Sequence, residues 1–373
     1  MLTIGLMTGT SLDGADAVAM RFPSGGRPVR IGSSSVDMPE ALGRELRALA
    51  TGTDNEIERM GDASVALARL YARVTEKLIA ETGIERDQVA ALGVHGQTIR
   101  HRPERGFTIQ LNHPALLAEM TGIPVIADFR SRDVAAGGEG APLVPAFHAR
   151  IFTGDEPVAV LNLGGIANLT LLPPHGADEG ASPVLGFDTG PGNTLLDHWM
   201  LSRTGVPCDR FGLTASKGRV DEELLARMLE DPYFSAPPPK STGRERFSPA
   251  WLTEKLVVPA RYSTEDVAAT LTELTARTVT DALARFQKGC TMVYTCGGGT
   301  LNPFLVSRLR HNLRARTHVR SVLDTRAFGL DPMEVEGAAF AWLAHRYLNG
   351  LAGNLPAVTH AAGPRILGAL YPA

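Results

Sequence analysis

The stretch LTIGLMTGTSLDGADAVAMRF (residues 2–22) consists of two apolar runs joined by a turn rich in glycine, threonine, serine and aspartate. In both runs apolar residues alternate with small or polar ones, which is the periodicity of a β-strand. The pattern predicts a β-hairpin at the start of the chain. A second stretch of the same form, VAVLNLGGIANLTLLP (residues 158–173), predicts another hairpin, whose turn contains Gly164 and Gly165.

The elements that follow the two predicted hairpins come in the same order. Each hairpin precedes a long helical stretch, residues 63–83 and 270–289, and then a short apolar strand that ends in a polar or glycine-rich turn. A chain of 373 residues is also longer than a single domain usually is. We therefore predict an α/β fold with two related lobes and a ligand between them.

The boundary between the lobes is predicted from a polar segment rich in glycine and proline, residues 126–148. We place the N-terminal lobe at residues 1–135 and the C-terminal lobe at residues 136–331. A strong helix pattern, EVEGAAFAWLAHRYLNG, lies near the end of the chain. The prediction is that the region from about residue 332 to 373 packs back on the first lobe.

The composition indicates a soluble protein that acts on small molecules. Hydrophobic residues make up 44% and charged residues 21% of the chain, and the net charge of -3 offers no attraction for nucleic acid or an anionic membrane. Cys208, Cys290 and Cys296 form no C-x-x-C pair, which favours a reducing cytoplasm over a disulfide framework or a zinc site. Without a basic N-terminal region or a membrane-length apolar run, we predict neither export nor an anchor.

The turn of the first hairpin has the residue types of an anion-binding loop. Its backbone N–H groups can surround a phosphate, and the hydroxyls of Thr8, Thr10 and Ser11 can add donors. It contains no lysine and is no P-loop, so Asp13 and Asp16 are better suited to a hydrated divalent metal than to a bare phosphate. A plain hairpin with a polar turn is an equally good interpretation of these residues alone.

Two further turns contain candidate functional residues. Gly297, Gly298 and Gly299 stand between a predicted strand and a helix, where glycines allow a nucleotide to approach the backbone closely. Asp188 in VLGFDTGPGN is predicted to end an apolar strand, at a sheet edge where α/β proteins bind ligands. A carboxylate there could act as a general base, although an Asx-type turn residue is the competing interpretation.

Polar side chains around the first predicted strand–turn pair are further candidates. His95 ends the predicted strand VAALGVH and adjoins Thr98. Arg130 and Asp133 in DFRSRD could bind a substrate carboxylate and a sugar hydroxyl. An intramolecular ion pair between them explains the same residues equally well.

Taken together, these features resemble a known enzyme family. The residues that carry the resemblance occur in family order over nearly the whole chain: GTSLDG, HGQTIRHRP, ADFRSRDVAAGGEGAPLVPAFH, NLGGIANLT, GFDTGPGN, PPKSTGRERF, CGGGTLNP and EGAAFAWLA. The chain resembles the anhydro-N-acetylmuramic acid kinase family of the sugar kinase, heat-shock protein and actin superfamily.

The resemblance implies two ribonuclease H-like lobes of the actin and hexokinase type around a central ATP cleft. It also implies a cytoplasmic, usually homodimeric enzyme of cell-wall recycling that uses ATP and Mg²⁺. The reaction expected from the family opens the 1,6-anhydro ring of anhydro-N-acetylmuramic acid with water and phosphorylates O6. Its products would be N-acetylmuramic acid 6-phosphate and ADP.

The resemblance also assigns roles to residues of this chain. Asp188 would be the catalytic base, Asp13 would hold the metal through water, and Thr98, Arg130 and Glu336 would bind the sugar. ATP would be bound by the opening turn and two glycine turns, at Gly9, Thr10, Ser11, Leu12, Asp13, Gly14, Ala15, Asp16, Gly164, Gly165, Gly297, Gly298 and Gly299. Lys240 lies in a family signature, PPKSTGRE, for which no role follows from the sequence.

The sequence departs from the family pattern at two positions. Thr8 stands where serine is expected, which keeps the hydroxyl, and Glu139 stands where glutamine is more usual, which adds a charge. Two other functions remain open at this stage. A nucleotide-dependent binding protein would close on ATP without phosphorylating a small molecule, and an ordinary hexose kinase would use Asp188 to deprotonate a sugar hydroxyl.

Overall fold

The computed structural model describes residues 1–9, 12–177, 183–243, 245–258 and 261–373. The described chain divides into two compact units. The first unit comprises Met1–Phe147 and Glu334–Ala373, and the second comprises His148–Met333.

Both units contain strands and helices. The strands are β1 (Leu2–Thr8), β2 (Gly14–Arg21), β3 (Val29–Asp37), β4 (Val89–Val94), β5 (Gln97–Arg102), β6 (Phe107–Leu111), β7 (Val125–Ala127), β8 (Val158–Leu163), β9 (Ile166–Leu172), β10 (Leu185–Pro191), β11 (Met292–Cys296), β12 (Ser321–Asp324) and β13 (Ala369–Tyr371). The helices are α1 (Glu40–Thr51), α2 (Glu56–Thr82), α3 (Pro114–Thr121), α4 (Ser131–Ala135), α5 (Val144–Phe152), α6 (Thr194–Thr204), α7 (Glu222–Leu229), α8 (Pro232–Ser235), α9 (Pro249–Leu256), α10 (Thr264–Phe286), α11 (Pro303–Arg316), α12 (Val335–Leu348) and α13 (Pro356–Thr359). Short 3₁₀ helices occur at Arg86–Gln88, Pro103–Arg105, Arg210–Gly212, Ala215–Lys217, Gly298–Leu301 and Thr325–Phe328.

The described residues of the first unit form a six-stranded sheet in the order β13-β7-β4-β1-β2-β3. β1, β2 and β3 are antiparallel neighbours, whereas β4 and β7 continue the sheet parallel to β1. An antiparallel meander extended by parallel strands beside its first strand is the arrangement of a ribonuclease H-like lobe. The hairpin predicted from residues 2–22 is confirmed, and Thr8 lies opposite Ala15 where its turn begins.

Helices α2 and α12 each pack against the sheet of the first unit. α2 buries Leu67, Tyr71 and Leu78 in a core shared with β1 and β4. α12 lies unusually close to the sheet because glycines occur at the contact. A Cβ on Gly5 would overlap the carbonyl oxygen of Gly337, and one on Gly337 would lie 2.6 Å from Cγ2 of Val18.

The described residues of the second unit form a five-stranded sheet in the order β10-β9-β8-β11-β12. β8, β9 and β10 are antiparallel, and β11 and β12 run parallel to β8. This repeats the arrangement of the first sheet, so the predicted α/β class with two ribonuclease H-like lobes is confirmed. α10 and α11 bury Val279, Leu283 and Leu309 against this sheet.

The first unit extends beyond the boundary predicted after residue 135. The segment that follows α4 is bound to the C-terminal segment of the same unit, since the N–H of Ala362 donates to the oxygen of Ala136 (2.8 Å) and the N–H of Glu139 donates to the oxygen of Thr359 (2.7 Å). Local sequence patterns do not reveal hydrogen bonds between segments so distant in the chain. Among the described residues, each helix is too short or too polar to span a lipid bilayer.

Candidate active-site residues in the two units

The opening turn joins β1 to β2, and one of its residues packs in the hydrophobic core. Thr10 and Ser11 lie outside the described residues. Leu12 has a positive φ of 59°, its N–H donates to the oxygen of Gly9 (3.1 Å), and its side chain is buried in the hydrophobic core. Asp13 is exposed. The buried Leu12 side chain therefore anchors a turn that presents Asp13 to solvent.

Thr8 does not offer its hydroxyl to a ligand, contrary to the sequence-based expectation. Its Oγ1 is buried, lies 3.0 Å from the hydroxyl of Tyr71 and donates to the carbonyl oxygen of Gly96 (3.3 Å). Thr8 is the last residue of β1, and the alternation of the strand points its side chain into the core. The hydroxyl ties β1 to α2 and to the turn after β4.

Strand β2 follows the turn, and its first side chains alternate between buried and exposed positions. Ala15 is fully buried, while Gly14 passes close to β3, because a Cβ there would lie 2.7 Å from the oxygen of Val36. Asp16 is exposed. The pKa of Asp16 is raised, first by partial loss of solvent and then by the negative charges of Asp13 and Glu334. The charge of Asp13 thus repels that of Asp16, and a shared cation would relieve this repulsion.

Glu336 lies in the first turn of α12, where the helix dipole favours a negative charge. Desolvation raises the pKa of Glu336, the positive charge of Arg130 opposes that increase, and the charge of Asp16 adds to it. Glu336 therefore interacts electrostatically with both Asp16 and Arg130. The structure brings together two of the three predicted sugar-binding residues and one predicted nucleotide-binding aspartate.

Arg130 is oriented by three hydrogen bonds. Its Nε and Nη2 lie 3.2 and 2.9 Å from Nε2 of His95, and its Nη1 donates to the carbonyl oxygen of Gly140 (2.8 Å). Burial and the charge of Arg130 hold the pKa of His95 well below its usual value. His95 is therefore neutral and accepts the hydrogen bonds of the guanidinium. Burial lowers the pKa of Arg130 to about 10, so Arg130 keeps its charge at neutral pH.

Asp133 is a structural residue, not a ligand for a sugar hydroxyl. Its side chain is fully buried, and its oxygens accept hydrogen bonds from the side chains of Asn354 and Thr359 (both 2.7 Å) and from the N–H of Gly140 (2.8 Å). Gly140 thus donates to Asp133 and accepts from Arg130. The C-terminal segment that holds Asp133 in this way also supports the position of Arg130.

Thr98 lies on the β5–β6 hairpin, apart from the main sheet of its unit. Its Oγ1 accepts a hydrogen bond from Nε2 of Gln110 (3.2 Å). Three buried amide atoms on this hairpin or next to it have no hydrogen-bond partner: Oε1 of Gln97, Oε1 of Gln110 and Nδ2 of Asn112. Buried polar atoms are rarely left unpaired, so this hairpin has the donors and acceptors to bind a polar ligand. Gln110 and Asn112 had no signal in the sequence beyond polar residues in a short strand.

Asp188 lies inside β10, not at the end of a strand as predicted. β10 continues to Pro191 because it pairs with β9 beyond an irregularity between Asp188 and Gly190. One carboxylate oxygen, Oδ2, accepts a hydrogen bond from the N–H of Thr242 (2.9 Å), and Oδ1 has no hydrogen bond to any described residue. Burial raises the pKa of Asp188 to about 6, against the opposing effects of Thr242 and Lys240. A half-buried carboxylate with one oxygen held and one free suits a general base.

Packing in the second unit explains much of its two glycine turns. A Cβ on Gly297 would overlap Oδ1 of Asn162 and would be strained at a φ of 81°, and a Cβ on Gly299 would lie 2.6 Å from Cβ of Leu163. Packing against Asn162 and Leu163 therefore accounts for Gly297 and Gly299 without a nucleotide. Gly298 is exposed, and nothing lies within 4 Å of a Cβ placed there.

The turn of the second hairpin contacts the beginning of α6. The carbonyl oxygen of Gly164 accepts from the N–H of Asn193 (2.9 Å), and that of Gly165 accepts from the N–H groups of Gly192 (2.9 Å) and Thr194 (3.1 Å). These bonds join the turn between β8 and β9 to the loop between β10 and α6. Both predicted glycines therefore have a structural role in their loops, whether or not a nucleotide also contacts them.

Comparison with known proteins identifies the family. The family model described as anhydro-N-acetylmuramic acid kinase matches residues 1–373. The chain is 52% identical over 369 residues to the anhydro-N-acetylmuramic acid kinase of Burkholderia cenocepacia, covering 99% of this chain and 95% of that protein. It is also 52% identical over 377 residues to the enzyme of the same name from Variovorax paradoxus, covering 100% and 99%.

The chain belongs to the anhydro-N-acetylmuramic acid kinase family. The predicted family and the prediction that the chain is a kinase are confirmed, and the nucleotide-dependent binding protein is excluded. Among solved structures, the activator of the 2-hydroxyisocaproyl-CoA dehydratase from Clostridium difficile with bound ADPNP is similar at 14% identity and a TM-score of 0.46, covering 94% of this chain and 96% of that one. In a kinase of this family, Asp188 is a candidate catalytic group, and Arg130 and Glu336 are candidate substrate-binding groups.

Proposed function

We propose that the protein is an ATP-dependent kinase that opens 1,6-anhydro-N-acetylmuramic acid with water and phosphorylates O6, giving N-acetylmuramic acid 6-phosphate and ADP. Family membership supports the substrate. The single observation that supports the hydrolytic step is the Asp188 carboxylate, with one oxygen held by Thr242 and a pKa raised to about 6. A base of that strength is largely ionised at neutral pH and can still accept a proton from water.

In the proposed reaction Asp188 accepts one proton from a water molecule as the water oxygen bonds to the anomeric carbon. The bond between that carbon and O6 breaks, and O6 takes its electron pair. O6 then attacks the γ-phosphorus of ATP, and ADP leaves. No acid is needed to protonate O6, because phosphorylation consumes its negative charge. Positioning and charge neutralisation supply most of the catalysis in such a phosphoryl transfer.

The first unit supplies the other proposed roles. Arg130 and Glu336, with Thr98 on its hairpin, bind the sugar, and the opening turn binds the phosphates of ATP. Asp13 and Asp16 offer carboxylate oxygens, which Mg²⁺ prefers as ligands, and Asp13 raises the pKa of Asp16 as a nearby like charge does. Among the described residues no group of three or more His, Cys, Asp or Glu could hold a metal ion. Mg²⁺ held through water would neutralise charge on the phosphates.

A heavy-oxygen assay separates this reaction from that of an ordinary hexose kinase. The protein is incubated with ATP, Mg²⁺ and anhydro-N-acetylmuramic acid in ¹⁸O-labelled water, and the product is weighed by mass spectrometry. We expect a phosphorylated sugar with one heavy oxygen at the anomeric carbon. Unlabelled product kept in heavy water for the same time measures uncatalysed exchange. Product without excess label, or faster phosphorylation of glucose, would contradict the proposal.

The pH profile offers a second test. Only ionised Asp188 accepts a proton, and its pKa lies at about 6, so kcat/KM should decrease below that pH by about tenfold per pH unit. The profile is measured with saturating ATP and limiting sugar. The pKa values of Asp16 and Glu336 are raised as well, so the decrease in rate at low pH must be assigned to one group. Because the charge of Lys240 lowers the pKa of Asp188, a decrease caused by Asp188 should move to higher pH when Lys240 is replaced by a neutral residue. A rate independent of pH down to about pH 5 would contradict the base.

The proposal includes a cytoplasmic homodimer. In the described part of the chain Cys208, Cys290 and Cys296 are not joined in disulfides, as is usual for a protein of a reducing compartment. Light scattering of the purified protein would measure its mass in solution against the 39.8 kDa of one chain.

A further inference from the structure

An insert that comprises α8 and the chain leading to α9 (residues 232–248) contacts Asp188 at three atoms. The N–H of Asp188 donates to the carbonyl oxygen of Lys240 (3.1 Å), and its Oδ2 accepts from the N–H of Thr242 (2.9 Å). Its carbonyl oxygen accepts from the hydroxyl of Tyr233 (2.9 Å). Because β10 is an edge strand of its sheet, the N–H of Asp188 faces away from β9 and is open to the bond that Lys240 supplies.

Lys240 closes this insert on itself. Its Nζ donates to the carbonyl oxygen of Tyr233 (3.0 Å), lies 3.5 Å from that of Phe234, and sits 4.5 Å from the centre of the Tyr233 ring. Tyr233 in turn packs edge-on against Phe247. The ammonium therefore ties residue 240 to α8, while the Lys240 carbonyl accepts from the N–H of Asp188 and the Tyr233 hydroxyl donates to its carbonyl oxygen.

We propose that Lys240 is a positioning residue for Asp188: its ammonium locks the insert so that Lys240 and Tyr233 hold the Asp188 backbone, Thr242 holds one carboxylate oxygen, and the other carboxylate oxygen is left to act on water. This inference rests on the proposed function, in which Asp188 is the base. It also gives the PPKSTGRE segment a role that the sequence did not reveal. Lys240 does not bind the substrate in this proposal.

The charges around Asp188 agree with this arrangement. The positive charge of Lys240 lowers the pKa of Asp188, whereas the negative charge of Glu245 raises it. Burial lowers the pKa of Lys240 to about 8, with Arg285 adding to the decrease and Asp188 opposing it. Loss of the ammonium should therefore make Asp188 harder to ionise and leave its carboxylate less well oriented.

The test is Lys240→Met, which removes the ammonium and its charge and keeps an unbranched side chain of nearly the same length. Asp188 is titrated directly by ¹³C NMR of carboxyl-labelled aspartate, with Asp188→Asn identifying the signal. We expect the pKa of Asp188 to rise by about half a unit to one unit, as loss of a neighbouring opposite charge requires. We expect kcat at neutral pH to fall about tenfold, because a small misplacement of a reacting group has effects of this size or larger, with both KM values unchanged.

Matched variants make the result specific. Lys255→Met also removes a lysine that lies over an aromatic ring, 5.7 Å from the centre of Trp251, and should change neither the titration nor the rate. Lys240→Arg should restore most of the pKa and the rate. Tyr233→Phe removes only the hydroxyl that binds the Asp188 backbone and should lower kcat without raising KM, so the proposal is still tested if Lys240→Met does not fold.

Two results would overturn the inference. A rise in KM for sugar or ATP with an unchanged Asp188 titration would make Lys240 a substrate ligand. If Lys240→Met had the wild-type kcat and the wild-type pKa of Asp188, the ammonium would not position Asp188. Failure of the proposed function looks different, because the titration is done without substrate: if Asp188→Asn stays active, Asp188 is not the base, whether or not Lys240 controls its pKa.

Discussion

Asp188→Asn is expected to reduce kcat by about 10²- to 10⁴-fold, which is the usual contribution of a general base. Asparagine keeps the shape of the side chain and can still accept the hydrogen bond from the N–H of Thr242, which is 2.9 Å long in the wild type. It cannot take a proton from water. KM for ATP should change little. The measurement is the steady-state rate with anhydro-N-acetylmuramic acid, together with ¹⁸O incorporation in the residual product.

A matched control is available in the same unit. Asp281 lies on α10 and makes a half-exposed ion pair with Arg316 (3.0 Å), a kind of pair that contributes little to stability. Asp281→Asn should therefore leave the rate unchanged. If Asp188→Asn kept more than about a tenth of wild-type activity, a loss well below that of a general base, Asp188 would not be the base.

Stability provides an independent check on the same variant. The pKa of Asp188 is raised from 3.8 to about 6 in the folded protein. The folded state therefore binds the proton more tightly than the unfolded state, so this carboxyl favours folding at low pH and loses that contribution as the pH rises through about 6. Above that pH the ionised, half-buried carboxylate destabilises the fold. Asp188→Asn should then melt at the same temperature as the wild type or higher at pH 8, which would exclude unfolding as the cause of inactivity.

Much of the secondary structure is predictable because it depends on the local periodicity of apolar residues. The alternation in residues 2–22 predicts the β1–β2 hairpin, and its repeat at residues 158–173 predicts β8–β9, both of which the structure confirms. The helix predicted at residues 63–83 is the larger part of α2 and ends at Gly83, which adopts the left-handed conformation expected of a helix C-cap. Patterns of this kind depend only on neighbours in the chain.

What the sequence missed depends on contacts between distant segments. Nothing near Asp133 in the chain indicates that Asn354 and Thr359 bury its carboxylate. The contact with Asp188 is equally nonlocal, since Thr242 lies beside a run of prolines that is distant from Asp188 in the chain. At Gly297 the constraint comes from Asn162 on another strand, whose Oδ1 a Cβ there would overlap.

Gly5→Ala is expected to have the largest effect on stability. An added Cβ would overlap the carbonyl oxygen of Gly337 and would lie 2.5 Å from the backbone N of Ala341. Backbone atoms of a helix cannot move aside as a flexible side chain can, so α12 would have to shift away from β1. Overpacking of a core costs about 1 to 3 kcal/mol and occasionally more. We expect a loss of about 3 kcal/mol, a large part of the stability of a typical protein.

The same substitution in an open position is the control. Gly61 lies in α2, and nothing is within 4 Å of a Cβ placed there, so Gly61→Ala should stabilise the helix by about 0.5 to 1 kcal/mol. Urea unfolding of both variants measures the difference. Because α12 carries Glu336 in its first turn, any folded Gly5→Ala protein should also bind the sugar more weakly. Equal stability of Gly5→Ala and the wild type would mean that α12 does not lie against β1 as closely as the glycines allow.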